Sequence, residues 1–133
     1  MTTQATAIKK VVLVGHCGPD SSYLRIAVSG AAKQSQVQVL MADDQSELNK
    51  LLADGVDLLL LNRQLDWGFE AETGVELMQS LRAKFPNVKM MLVSNYPEAQ
   101  AEAVAAGALP GFGKREIGTP RVKELIREAL LIT

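Results

Sequence analysis

The sequence predicts a three-layer α/β domain, a five-stranded parallel sheet with helices on both faces, in (βα)5 order. Three observations predict it. Short apolar runs alternate with longer segments of helical periodicity, the order that builds parallel sheets. Two runs, Val11-Val12-Leu13-Val14 and Leu58-Leu59-Leu60-Leu61, are apolar at every position, as in strands covered on both faces. The 133 residues, 47% of them hydrophobic, suffice for one core of the usual domain size.

The first strand is expected over 10–15, followed by a helix over 21–34 that Ser21 or Ser22 can cap. The second strand, 36–42, alternates more than the others and suits a sheet edge. Its helix, 44–53, has Asp43 or Asp44 as cap with Glu47 three residues after Asp44, and Gly55 stops it. The third strand, 57–62, and the first form the centre of the sheet. Helix 71–84 follows, then strand 88–94 and a helix over 97–106 stopped by Gly107. The fifth strand, 108–113, holds Pro110 and is expected to be irregular or at an edge. In the last helix, 119–131, Thr119 precedes Pro120 as a capping hydroxyl before a first-turn proline. Val122, Leu125, Ile126, Ala129 and Leu130 form its apolar, sheet-facing stripe. Residues 1–8 read as a tail and 9–133 as the domain.

Composition excludes several classes of function. No apolar run approaches the roughly 18 residues that cross a bilayer, so no membrane contact is expected. Met1 to Ile8 lack the charged and apolar regions of a signal peptide, and Cys17 is the only cysteine. Both fit a cytoplasmic protein. Fourteen basic and fifteen acidic side chains leave a formal charge of −1, which gives no bulk attraction to nucleic acid. The expected partner is therefore protein. No second Cys or His exists to complete a zinc site with His16 and Cys17.

The (βα)5 order is also that of flavodoxin-like folds, in which function gathers at the carboxyl ends of the strands. Those ends carry Gly15-His16-Cys17-Gly18-Pro19-Asp20, Asn62-Arg63-Gln64, Ser94-Asn95 and Phe112-Gly113-Lys114. From Val11 to Leu131 the chain resembles a receiver domain of two-component response regulators. The leucine run ends at Asn62, where receivers place the phospho-accepting aspartate. Ser94 stands thirty-two residues later, where receivers place a hydroxyl residue, and Lys114 a further twenty on, seven after Gly107. Thr73-Gly74-Val75-Glu76-Leu77 resembles the receiver loop glycine and the start of its third helix, after about three extra residues.

The resemblance implies a signalling domain, and the departures from it imply one without phosphoryl transfer. An asparagine amide at position 62 is neither a carboxylate nucleophile nor a strong ligand for a hard cation. The acidic pair that holds Mg²⁺ in receivers falls among Gly15, His16 and Cys17, none of them a carboxylate. No metal or other cofactor is expected. Ser94 and Lys114, which with His16 and Cys17 should line the degenerate pocket, are expected to hydrogen-bond Asn62 and nearby backbone. The aromatic switch that receivers carry three residues before the lysine is replaced by Gly111, and the proline after the lysine by Arg115.

The predicted function is a response-regulator-like module, not an enzyme, that binds a signalling kinase, an output protein or a second copy of itself. By resemblance, self-association would use the face of the fourth helix, fifth strand and fifth helix. Trp67 and Phe69, in a polar loop after the third strand, either fold back as a plug or anchor a partner. One alternative is a receiver switched by a phosphate-like or small-molecule ligand near Asn62, Ser94 and Lys114. Another is a nucleotide binder or thiol enzyme using Gly15 to Gly18. That stretch matches no nucleotide-binding pattern, and neighbouring His16 and Cys17 should point to opposite sides of an extended segment.

Overall fold

The computed structural model describes residues 8–33 and 36–131. Its elements are β1 (Lys9–Val14), α1 (Gly18–Ala31), β2 (Val37–Ala42), α2 (Gln45–Asp54), β3 (Leu58–Asn62), α3 (Gly74–Lys84), β4 (Lys89–Val93), α4 (Pro97–Ala105), β5 (Leu109–Phe112) and α5 (Pro120–Leu130). The strands form one parallel sheet in the order β2-β1-β3-β4-β5. β1 and β3, which carry the all-apolar runs, are neighbours near its centre, and β2 is an edge, as the residue patterns predict.

The pleat divides their side chains between two cores. Val12, Val14, Leu59 and Leu61 meet Leu48 and Leu52 of α2, Leu77 and Met78 of α3 and Ala103 of α4. Val11, Leu13, Leu58 and Leu60 face the other way, against Leu24 and Val28 of α1 and Val122 and Ile126 of α5. Each such buried Val, Leu, Ile or Met side chain contributes about 1.5–3 kcal/mol over its exposed state. The sheet is thus covered on both faces, and only its ends remain for function.

β5 is the other edge. It is irregular, with a register shift against β4 between Met91 and Val93. Pro110 sits there without costing an interior ladder bond.

Helix ends show where the local reading held and where it failed. Asp44 accepts from the Glu47 N–H at 2.8 Å, and Glu47 in turn accepts from the Asp43 N–H at 3.0 Å. Gly55 and Gly107, at φ of 98° and 103°, end their helices in a conformation that favours glycine. α1 begins three residues before the expected Ser21, because Pro19 occupies its first turn and Cys17 is the residue that flanks it. Ser21 is buried within the helix and Ser22 donates to the Gly18 carbonyl at 3.2 Å, so neither caps it. The expected end of that helix, Gln34, lies outside the described residues, as does the tail except for Ile8.

α3 begins at Gly74, three residues later than expected, because Thr73 and Glu76 form a reciprocal capping box. Thr119 flanks α5 as expected, but its hydroxyl donates backwards to the Glu116 carbonyl at 2.7 Å and caps nothing. The chain reaches it through an unanticipated 3-10 turn, Lys114–Glu116, which sets that direction.

Candidate functional site

Asn62 is the last residue of β3, between the buried Leu61 and the loop to α3. Gly74 packs so closely on it that a Cβ there would collide with the Asn62 carbonyl oxygen. The Asn62 amide nitrogen donates to the Gly15 carbonyl at 3.1 Å and to the Gln64 carbonyl at 3.0 Å. One side chain therefore ties the end of β1 to the loop after β3, a task that needs two N–H donors and that a carboxylate lacks.

Ser94 follows β4 and is buried; its Oγ accepts from the Tyr96 N–H at 3.1 Å. Lys114 follows β5, and its Nζ lies 2.8 Å from Asp20 Oδ2. Asn62, Ser94 and Lys114 line one cavity of about 290 Å³, joined by Arg63 and Asn95. The expected bonds from Ser94 and Lys114 to Asn62 do not form. Asn62 spends its donors on backbone, and the carboxylate of Asp20 is the stronger attractor for an ammonium.

The sequence places Asp20 at the carboxyl end of the first strand but does not pair it with Lys114, because the first helix is expected to start only at Ser21. Pro19 was the available signal: placed in the first turn of the helix, it puts Asp20 beside it, above the carboxyl ends of the strands. The Lys114 hydrogen bond holds the Asp20 carboxyl below its ordinary pKa. Arg63, also unanticipated, stacks its guanidinium 4.5 Å from the Tyr96 ring centroid at the cavity mouth.

His16 and Cys17 point apart, as adjacent residues on extended backbone do. His16 is 7% exposed, and its Nε2 lies 2.8 Å from the Leu60 carbonyl oxygen. A carbonyl only accepts, so the proton is on Nε2. Nδ1 is buried without a partner. Burial lowers the His16 pKa, and the Lys114 charge acts in the same direction. Cys17 is exposed at the head of α1. Neither residue lines the Asn62 cavity, and they form no nucleophile-base pair.

The donor set does not fit Mg²⁺. That ion demands oxygen ligands in near-octahedral geometry. Here Asn62 presents its N–H groups to the Gly15 and Gln64 carbonyls, and Asp20 is paired with Lys114. Among the described residues no three His, Cys, Asp or Glu side chains cluster for a metal.

Gly111 lies in β5, where a Cβ would collide with the Leu92 carbonyl oxygen. The amide of Gln100, from α4, fills the neighbouring space and donates to the carbonyls of Leu92 at 2.9 Å and Ser94 at 3.1 Å. Beside it, Pro97, Val104, Pro110 and Arg121 line a groove of about 720 Å³ between α4, β5 and the start of α5.

The loop after β3 separates its two aromatics. Phe69 is 7% exposed and packs in the core beneath Gly15, as a plug would, which removes it from the surface available to a partner. Trp67 is 98% exposed.

No family model and no curated protein sequence matches the chain. Solved structures do. The RcsB response regulator of Salmonella typhimurium superposes with a TM-score of 0.73 at 14% identity, over 95% of this chain and 62% of that one. This chain thus spans less than two thirds of that regulator. The non-phosphorylated receiver domain of the stress response regulator RcsB from Escherichia coli gives 0.73 at 14% identity, over 96% and 97% of the two chains. The receiver domain of NtrX from Brucella abortus gives 0.66 at 19% identity, over 92% and 99%. The chain has the fold of response regulator receiver domains, a flavodoxin-like (βα)5 sheet. No helix among the described residues is long and apolar enough to cross a membrane.

Proposed function

We propose that residues 9–133 form a receiver-type signal-transduction module that works by docking a protein partner, without phosphoryl transfer or other catalysis, in the cytoplasm. One observation carries this reading. At the position where receivers accept phosphate, the Asn62 amide is used as a structural tie, donating to Gly15 and Gln64. The lysine that would meet a phosphoryl group is held instead by Asp20. A partner, whether kinase, output protein or a second copy, then reads a fixed surface. The α4–β5–α5 face is the candidate for self-association.

Amide NMR during titration with Mg²⁺ and beryllofluoride, a phosphoryl mimic that needs an aspartate and a metal, tests the reading. Resonances of Asn62, Ser94 and Lys114 should not move. Saturable shifts at those residues would overturn it.

A second reading is favoured by the cavity itself, where Arg63 and Lys114 offer cationic groups beside the Asn95 side chain. It could hold an oxyanion non-covalently if Lys114 exchanged Asp20 for it. Inorganic phosphate should then shift the Arg63 and Lys114 signals saturably, and unchanged signals would exclude it.

A further inference from the structure

The loop after β3 is built to hold one side chain in water. Gln64 and Thr73 pair across its base as an antiparallel bridge, and the Leu65 N–H donates to the Glu72 carbonyl at 2.9 Å. The Phe69 N–H donates to the Asp66 carbonyl at 3.1 Å, closing a turn around Trp67. The Gln45 N–H donates to the Gly68 carbonyl at 2.9 Å, and Gln45 Oε1 accepts from the Glu70 N–H at 3.2 Å. Phe69 pins the loop into the core. Backbone is thus fixed on both sides of an indole that packs against almost nothing.

Such an arrangement contributes little to folding and suits binding. A rigidly presented tryptophan covers a large area while losing few degrees of freedom, which makes it a common energetic anchor of interfaces. Beside it is a depression of about 500 Å³ whose floor includes Leu65, Phe69 and Ala71.

The loop and the start of α2 to which it bonds carry one sign of charge, with Arg63 and Lys50 just outside them. Residues 43–49 and 64–73 contain Asp43, Asp44, Glu47, Asp66, Glu70 and Glu72, and no Lys, Arg or His. Both ion pairs among the described residues lie elsewhere. Electrostatic complementarity therefore selects a cationic partner. A second copy docking by the same surface would bring two acidic patches together, and an anionic membrane would be repelled.

We infer that the Trp67 loop is a docking site for a Lys- and Arg-rich segment of a partner protein, seated against the indole and ringed by the carboxylates. Cation–π contact with the indole adds to the charge pairing. The inference rests on the reading of the chain as a protein-binding module and names the chemistry of its partner.

A random peptide library displayed on phage, selected on the intact protein and counter-selected on Trp67→Ala, tests it. The enriched peptides should be rich in Lys and Arg. Because Trp67 is the only tryptophan, their binding should shift its emission to the blue. Affinity, read by anisotropy of the labelled peptide, should fall about tenfold or more in Trp67→Ala. It should also weaken in Asp66→Asn/Glu70→Gln/Glu72→Gln and with added salt. Enrichment of neutral or acidic peptides, no enrichment, or equal binding to Trp67→Ala overturns the inference. So does a Trp67-dependent homodimer in sedimentation equilibrium. These readouts are independent of phosphoryl labelling, so the docking site can fail while the non-phosphorylated reading stands.

Discussion

Lys114 Nζ meets Asp20 Oδ2 at 2.8 Å, which joins the start of the 3-10 turn after β5 to the first turn of α1 across the carboxyl end of the sheet. Lys114 thus has an anionic partner, supplied by a helix and not by the end of a strand. Asn62 is left to bond backbone alone.

That pair is partly solvated, with 40% of the Lys114 side chain exposed, so its coupling should be modest. A double-mutant cycle with Asp20→Asn and Lys114→Met is expected to give about 0.5 kcal/mol, smaller at high salt. The Asp20 pKa is lowered in the folded state, so its stabilisation is complete above the ordinary carboxylate value and is lost as pH falls through the folded value. In Lys114→Met, carboxyl NMR should show Asp20 titrating closer to its ordinary value. An additive cycle and an unchanged Asp20 titration would exclude the coupling.

His16 should act in the same direction as the acid-sensitive carboxylates, but in a higher pH range. Its pKa is lowered by burial, so the folded protein resists a proton that the unfolded chain accepts. Stability is then complete above about pH 6.5 and declines below it, at up to about 1.4 kcal/mol per pH unit, until the folded pKa is reached. Denaturant unfolding between about pH 7.5 and 5 measures this decline. The single imidazole gives one NMR titration curve, expected below the ordinary midpoint. A midpoint at or above it would contradict the burial argument.

Phe69 and Trp67 are two residues apart and should differ sharply. Phe69→Ala opens a hole beneath Gly15 and is expected to cost about 3–5 kcal/mol. Trp67→Ala should change stability by less than about 0.5 kcal/mol, because the indole packs against almost nothing. Urea midpoints for the two variants decide this, and equal losses would mean that Trp67 has a structural contact.

Much of this molecule was legible in the sequence because burial on both faces leaves strong marks. Val11–Val14 and Leu58–Leu61 suit central strands, and the stripe from Val122 to Leu130 suits a sheet-facing helix, as the two cores show. Asp44 with Glu47 announced the start of α2. The errors arose where one residue supports two local structures. Ser21 satisfies the rules for a cap, but Pro19 satisfies those for a first turn and prevailed. Ala71 has helical propensity, yet the Thr73–Glu76 box set the start of α3 three residues beyond it and the bridge to Gln64 closed the loop.

The site was legible as a set of positions and not as a set of bonds. Spacing brought Asn62, Ser94 and Lys114 to one cavity. It could not show that Lys114 would choose Asp20, since that contact spans most of the chain. Nor could alternation alone say that His16 would bury and bond Leu60. Trp67 and Phe69 were equally apolar in sequence, and only the tight turn between Asp66 and Phe69 decides which faces water.

The most direct test of a module without phosphoryl transfer is intact mass after incubation with acetyl phosphate and Mg²⁺, beside Asn62→Asp and an active receiver as control. No phosphoryl adduct is expected on the wild-type chain. None is expected on Asn62→Asp either, because Gly15, His16 and Cys17 supply no acidic pair for the metal. An adduct on the wild type, mapped to a substitute such as Asp20 or Asp66, would contradict the account, and one on Asn62→Asp alone would contradict the loss of the metal site.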